Sequence, residues 1–195
     1  MAGRDEIIAF CDELLDVGSY PDYGPMGLQV VGAPEVHKLV CSVSASRDLF
    51  ERAAEAGAQM VLVHHVLLWD NEPRRIGPVQ KERLRALFDA DLSLVAYHLA
   101  LDAHPEIGNN ALLCDELGVE RDGRFADGYG FGGRLPDPVP VSDLAERVQE
   151  DGSLAEREQP RHVGECNRHL RQRDVGHVQV GVPQHGDAGP RQAAR

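Results

Sequence analysis

The chain of 195 residues has few aromatic residues and no long apolar run. About 18 consecutive apolar residues are needed to span a bilayer, and no stretch reaches that length. Near the N-terminus, Arg4, Asp5 and Glu6 stand where a secretory signal would have its apolar segment, so we expect no export signal. Because aromatic residues make up 5% and hydrophobic residues 42%, we expect an aliphatic core.

Cysteine is also scarce, and its spacing excludes two classes of small protein. The four cysteines are widely separated and form no CxxC pair, which argues against a disulfide framework and against a zinc ribbon. Cys11 and Cys114 fall at apolar positions of predicted helices, so we interpret both as small buried hydrophobic residues. With no export signal and no disulfide framework, the cytoplasm is the expected location.

Positively charged residues are also scarce. The chain has 20 Lys and Arg but 32 Asp and Glu, which gives a net charge of -12. Such a surface repels phosphate backbones and disfavours nucleic acid as a partner. Short basic runs occur at Arg74–Arg75 and over residues 81–85, and the second is typical of a solvated helix face. The acidity does not exclude metal cations as ligands.

Strand-like and helix-like segments alternate through the first two thirds of the chain. An amphipathic helix carries its apolar residues between Ile7 and Leu15, and a Pro- and Gly-rich loop follows over residues 20–32. We then predict strands over 37–46, 58–65 and 92–102 and helices over 47–56, 80–91 and 109–118, with Ser46 and Asn109 or Asn110 as N-caps. Nearly continuous apolar strands separated by helices predict an α/β fold with a mixed, largely parallel sheet flanked by helices.

The composition changes abruptly near residue 151. Residues 151–195 contain seven Arg, six acids and no Lys, and their large apolar residues are two Leu and five Val. Such a segment buries little surface to offset the entropy of ordering. We therefore predict one α/β domain over residues 1–150 and an atypical tail over 151–195, which is either disordered or translated in a shifted reading frame. A short edge strand over 175–182 is the alternative for part of it.

Two adjacent histidines, His64 and His65, end the apolar strand predicted over 58–65. Successive side chains of a strand point to opposite faces, so the two cannot face one ion while the strand stays regular. At the strand end they can diverge and reach two ions of a close pair. The alternative, which the spacing alone favours, is one buried, hydrogen-bonded histidine beside an exposed one.

A second polar cluster, His98, Asp102 and His104, lies where the next apolar strand runs out. Ligands of open α/β sheets bind beyond the carboxyl ends of the strands, so the two clusters would converge if these strands are parallel neighbours. Imidazole with carboxylate suits zinc, iron, manganese or nickel. Asp70 and Glu72 are further carboxylate candidates, although we expect them in a solvated loop.

Three segments resemble a known family: DYGPMGLQVVG (22–32), VLVHHVLLW (61–69) and YHLALDAHPEIGNNALL (97–113). The family is the dinuclear-metal-centre group of type 2 GTP cyclohydrolase I homologues, also called Ngg-interacting-factor-like proteins. The resemblance covers about residues 5–135. It implies that His64, His65 and Asp102 bind two divalent metal ions, and that His98 lies behind these ligands or faces the substrate. It further implies a ring-shaped homohexamer and hydrolytic, cyclohydrolase-like chemistry.

The tail departs from the pattern of this family, which closes its site with a late histidine and a glutamate one helical turn on. His177 lies in GHVQVG, but glycine stands at position 181 where the acid is expected. We interpret His177 and the other tail histidines, His162, His169 and His185, as solvated residues. The resemblance therefore implies a metal-dependent hydrolase with an incomplete site. The alternatives are a non-catalytic metal-binding or ring-forming scaffold and a DNA-handling protein, the last disfavoured by the acidic charge.

Overall fold

A computed structural model describes residues 2–73, 75–151 and 174–180. The described residues divide into two compact units, a first that ends at Leu101 and a second that begins at Asp102. The division at residue 150 that the composition suggests stays a prediction. None of the helices in the described part of the chain is long and apolar enough to cross a membrane.

The first unit alternates strands and helices, as the apolar pattern predicts. Its elements are β1 (Ala2–Gly3), α1 (Arg4–Leu14), β2 (Gly27–Val30), β3 (Glu35–Val36), β4 (Leu39–Ser44), α2 (Arg47–Glu55), β5 (Met60–His65), α3 (Pro78–Asp89) and β6 (Ser93–Ala96). The short helix α4 (Leu99–Ala103) follows β6.

The central sheet of this unit has the strand order β2-β6-β5-β4. Strands β4, β5 and β6 run parallel, whereas β2 runs antiparallel to β6. Val63 of β5 pairs with Ala96 of β6, and Ser44 of β4 pairs with His65. The prediction of a mixed, largely parallel sheet flanked by helices is confirmed, and β5 and β6 are the parallel neighbours that a shared site requires.

Both faces of the central strands β5 and β6 are largely buried, which explains why these two strands are apolar almost throughout. Val61 and Val63 of β5 pack with Phe50 of α2 and Leu87 of α3 in one apolar cluster. Neighbouring residues on the opposite face join a second cluster that contains Leu15, Met60, Val95 and Tyr97. The alternation of adjacent residues between the two clusters follows from the two-residue repeat of a strand.

Helix ends follow the predicted signals in part. The Ser46 hydroxyl accepts a hydrogen bond from the backbone N–H of Leu49 at 3.2 Å, so the predicted N-cap of α2 is confirmed. Gly57 ends the same helix region with φ +70°, a conformation that glycine adopts without strain. Helix α3 begins two residues before the predicted position because Pro78, which needs no N–H partner, takes the first turn.

The strand predicted over 92–102 is wrong beyond Ala96. Strand β6 ends at that residue, and residues 99–103 form α4. The segment LSLVAYHLALD is apolar throughout, and periodicity alone does not distinguish a strand from a helix in a short apolar run. The cap predicted at Asn109 or Asn110 is also wrong, since Gly108 occupies the N-cap position of the helix that follows.

The second unit is built on an antiparallel sheet of three strands in the order β7-β8-β9. Its elements are α5 (Asn109–Glu116), β7 (Glu120–Phe125), β8 (Gly130–Pro140), α6 (Val141–Asp151) and β9 (Asp174–Val180). The fully buried Cys114 thiol packs in its core with Leu117, Val119 and Phe131, as predicted for this cysteine.

Residues 174–180 of the tail are described, and they form β9. This strand pairs with β8, with His177 opposite Arg134, so the edge strand considered for residues 175–182 forms over 174–180. His162, His169 and His185 lie outside the described residues. The reading-frame interpretation of residues 151–195 stays a prediction.

Candidate metal centre

Three histidines meet at the carboxyl ends of two neighbouring parallel strands. His64 and His65 are the last two residues of β5, and His98 lies two residues beyond the end of β6. One ring nitrogen from each of these residues lies within 4.8 Å of the other two. We refer to His64, His65 and His98 as the histidine cluster. Across the described ranges, no other group of three potential ligands meets this distance.

The rings of His64 and His65 come together although the residues are adjacent in a strand. Their centroids are 5.0 Å apart, and those of His64 and His98 are 4.9 Å apart. Both adjacent residues are partly buried and both are hydrogen-bonded. The alternative of one exposed histidine therefore does not apply. Because β5 ends at His65, the alternation of the strand no longer separates the two rings.

Each ring of the cluster is anchored through Nδ1. His64 Nδ1 lies 3.1 Å from the carbonyl oxygen of Tyr97, and His98 Nδ1 lies 2.9 Å from Asp22 Oδ1. A carbonyl or carboxylate oxygen accepts, so Nδ1 donates in both residues, and in the neutral imidazole the lone pair is then on Nε2. His65 Nδ1 lies 3.1 Å from the Ser44 hydroxyl. Such anchoring is the usual way in which proteins orient metal-binding imidazoles.

Asp22 connects the loop after α1 to the end of β6. Its side chain is 1% exposed, and Oδ2 accepts a hydrogen bond from the backbone N–H of Leu99 at 2.8 Å. Burial alone would raise the pKa of Asp22, but hydrogen bonds from His98, Leu99 and Tyr23 outweigh it and hold that pKa below its usual range. Asp22 was not among the predicted site residues, although it begins the segment DYGPMGLQVVG that carries the family resemblance and stands as an acid inside a Pro- and Gly-rich loop.

Trp69 forms an aromatic wall beside the cluster. Its ring stands perpendicular to that of His98 with centroids 5.1 Å apart, and it lies 6.4 Å from the ring of His65. Trp69 also lines a cavity of about 260 Å³, whose other apolar walls are Leu68, Pro73, Ile76 and Leu84. Glu72, Arg75 and Gln80 complete the lining, so the cavity beside Trp69 is mixed in polarity.

The other predicted site residues make the following contacts. Asp102 is buried in the second unit, where its Oδ1 accepts a hydrogen bond from Asn109 Nδ2 at 2.8 Å. His104 Nδ1 accepts from the backbone N–H groups of Glu106 and Ile107 at 3.2 Å, which is a turn-forming role. Asp70 and Glu72 are exposed, as expected of a solvated loop. The assignment of ligand roles to these residues stays a prediction.

The donor set fits a divalent transition metal. Imidazole suits zinc, iron, nickel and copper. Two nitrogens bound to one tetrahedral zinc at about 2.0–2.1 Å are roughly 3.4 Å apart. The ring nitrogens of the cluster lie within 4.8 Å of one another, so they would have to approach by up to about 1.4 Å to bind one such ion. Three imidazoles leave at least one coordination position for water or a carboxylate.

Comparison with known families gives a match over most of the chain. A family model described as Duf34/NIF3 (NGG1p interacting factor 3) matches residues 2–176. A Deinococcus radiodurans protein named GTP cyclohydrolase 1 type 2 homolog is 40% identical over 151 residues, which is 75% of this chain and 57% of that protein. A Pyrococcus horikoshii protein of the same name is 38% identical over 151 residues, 75% of this chain and 60% of that protein.

Solved structures with the same fold are also similar in sequence. The protein ybgI, described as of unknown function, has a TM-score of 0.73 and 38% identity, with 76% of this chain and 60% of that chain covered. The protein TTHA1606 from Thermus thermophilus has a TM-score of 0.68 and 37% identity, with 80% and 62% covered. The chain thus spans about three fifths of the length of these relatives.

Proposed function

The chain belongs to the Duf34/NIF3 family, and on that premise we propose that it binds divalent metal through His64, His65 and His98. The observation that carries this proposal is the meeting of three imidazoles at the carboxyl ends of β5 and β6. Two of the rings are anchored so that Nε2 carries the lone pair, and protein metal sites use this arrangement to orient their histidines.

The resemblance assigns a further ligand, Asp102, and a second ion, and we retain both as proposals. A carboxylate commonly bridges two closely spaced ions. The metal would be zinc, iron, manganese or nickel, with imidazole favouring zinc, iron and nickel over manganese. The Asp102→Asn substitution tests the first assignment, because it removes the negative charge while retaining an oxygen acceptor for Asn109.

For the reaction we propose metal-dependent hydrolysis, which the name GTP cyclohydrolase 1 type 2 homolog suggests for the relatives. A bound divalent ion supplies a water of lowered pKa. Among the residues of this chain, Asp22 would hold the Nδ1 proton of His98, and Trp69 would restrict water at one side of the cluster. Because glycine stands at position 181, where the resemblance expects an acid, we expect reduced activity.

A non-catalytic, ring-forming scaffold is the second candidate, and exposed apolar side chains favour it. Phe10, Val31 and Phe88 are 65%, 68% and 62% exposed. Contiguous exposed apolar surface marks sites of protein–protein association, and self-association would bury such side chains. A discrete hexamer in multi-angle light scattering would support this candidate, whereas a monomer at all concentrations would contradict it. The cytoplasm remains the proposed location.

Metal content per chain tests the metal-binding proposal. Plasma mass spectrometry of the purified, zinc-loaded protein should give at least about one equivalent, and His65→Ala should lose most of it. His37→Ala is the matched control, since His37 is an exposed histidine outside the cluster. Equal zinc in the wild type and in His65→Ala would refute the proposed site.

Hydrolysis requires a separate assay. Metal-loaded protein should hydrolyse GTP, a phosphoester or a cyclic amide above the rate of a variant in which both His64 and Asp102 are replaced. If metal binds at the cluster and no compound in such a panel is hydrolysed above this variant, the enzyme proposal fails and the scaffold candidate remains.

A further inference from the structure

We propose that Asp22 is the positioning residue of the candidate metal centre and acts through His98. This inference rests on the proposed metal binding. Asp22 holds the Nδ1 proton of His98 and thereby leaves Nε2 as the nitrogen that can bind a metal, in a ring that has one nitrogen within 4.8 Å of ring nitrogens of the other two histidines.

The first support is that Asp22 anchors His98 from a distant part of the sequence. The two residues are 76 positions apart, and the Nδ1–Oδ1 distance is 2.9 Å. His98 lies beyond the last residue of β6, so the strand ladder does not fix its backbone as it fixes that of His64. Its orientation therefore depends on tertiary contacts, of which the bond to Asp22 is charge-assisted.

The second support is that the same carboxylate fixes the backbone beside the ring. Asp22 Oδ2 accepts from the N–H of Leu99, the first residue of α4, and Oδ1 also accepts from the N–H of Tyr23. One buried side chain thus accepts hydrogen bonds from the first backbone N–H of α4 and from Nδ1 of His98, and it fixes the position of both groups. Both contacts hold the His98 ring beside His64 and His65, whose ring centroids lie 4.9 Å and 5.9 Å away.

The ring environment gives a third support. Trp69 packs perpendicular to the His98 ring at 5.1 Å, and His64 packs against the same ring at 4.9 Å. These contacts limit how the ring can turn but do not distinguish Nδ1 from Nε2. A polar partner selects the tautomer, and Asp22 is the partner that does so.

The Asp22→Asn variant retains the size of the side chain and removes one acceptor. If its amide group faces His98, Nδ1 must accept instead of donate, and the proton moves to Nε2. The lone pair that would bind the metal is then lost. Loss of a carboxylate behind a metal-binding histidine typically weakens metal affinity by about 10- to 100-fold.

A double-mutant cycle in zinc affinity separates this role from a purely structural one. Zinc dissociation constants would be measured by competition with a chromophoric chelator for the wild type, Asp22→Asn, His98→Ala and the double variant. We expect Asp22→Asn to weaken binding by about 10- to 100-fold in the wild type and by less than about threefold when His98 is absent. The same loss in both backgrounds, or no loss in either, would overturn the proposal.

Asp12→Asn is the matched control for removal of a carboxylate that accepts a side-chain hydrogen bond. Asp12 Oδ1 accepts from the Tyr97 hydroxyl at 2.7 Å, whereas Tyr97 contacts the histidine cluster through its backbone carbonyl oxygen. We expect the zinc affinity of this variant to equal that of the wild type. If Asp12→Asn lowers the zinc affinity as much as Asp22→Asn does, loss of any such carboxylate weakens zinc binding. This result would contradict a specific role for Asp22.

A second measurement needs no metal. Proton–nitrogen correlation spectra of the imidazole rings in metal-free protein should show His98 in the Nδ1–H tautomer, with a change to Nε2–H in Asp22→Asn. If wild type and His65→Ala bind zinc equally, the proposed function fails, and this spectrum still decides the role of Asp22. An Nε2–H tautomer of His98 in the wild type would overturn it.

Discussion

The two units of the chain differ in how their strands are stabilised. In the first unit, the central parallel strands β5 and β6 are largely buried on both faces, with fully buried residues such as Val61, Val63 and Leu94, whereas the edge strand β4 is only partly buried. In the second unit, β7 is mostly exposed and polar, and β8 contains Pro136, Pro138 and Pro140. The comparison indicates that burial by helices defines the first sheet, whereas close antiparallel pairing defines the second.

The largest expected effect concerns the buried face of the first unit. Phe50 of α2 is fully buried between the helices and the sheet. Phe50→Ala should lower the free energy of unfolding by about 3–5 kcal/mol, because it leaves a cavity as well as removing buried apolar surface. Urea denaturation followed by circular dichroism measures this change.

Phe88→Ala is the control for this substitution. Phe88 lies in α3 and is 62% exposed, so its removal should change the unfolding free energy by no more than about 0.5 kcal/mol. Similar losses for the two variants would contradict the view that burial on this face stabilises the first unit.

An intermediate effect is expected where two strands of the second unit approach closely. A Cβ added at Gly133 of β8 would lie against the carbonyl oxygen of Glu120 and 2.7 Å from Val119 Cγ1. Gly133→Ala should therefore cost about 1–3 kcal/mol, since the strands must move apart. Thermal unfolding monitored by circular dichroism would detect the loss.

Gly123 of β7 offers a matched control in the same sheet. An added Cβ there would meet nothing within 4 Å. Gly123→Ala should leave the unfolding free energy within about 0.5 kcal/mol of the wild type. If Gly133→Ala were equally harmless, close pairing would not be what defines the second sheet.

The smallest expected effect concerns a local helix start in the first unit. Ser46→Ala removes the hydroxyl that accepts from the N–H of Leu49 and should cost about 1 kcal/mol. Ser46→Gly should cost only a few tenths of a kcal/mol, because glycine is tolerated at N-caps. If Ser46→Ala and the wild type have the same free energy of unfolding in chemical denaturation, this cap contributes no stability beyond that of tertiary packing.

The elements that sequence predicts well are those whose signal is local. The cap at Ser46, the stop at Gly57 and the apolar strand that ends at His65 are each visible within a few residues. The exposed strand β7 has the sequence ERDGRF, which carries no apolar alternation. Its pairing with β8 is a tertiary property, so no local pattern predicted it.

The part of the candidate site that was predictable from the sequence is the part whose signal lies near the strand ends. The strand-end rule brought His64 and His65 together with His98, because β5 and β6 are parallel neighbours. The start of α4 and the orientation of His98 depend on Asp22, which lies 77 residues before Leu99. An interaction at that separation leaves no periodic signal in one sequence.

X-ray absorption at the zinc edge tests the central claim that the histidine cluster binds metal. Zinc-loaded protein should show about two to three imidazoles per zinc at about 2.0–2.1 Å, and His65→Ala should lose roughly one of them. The His37→Ala control should leave the spectrum unchanged. Zinc bound mainly by thiolate sulfur, or an imidazole count that is the same in His65→Ala, would contradict the account.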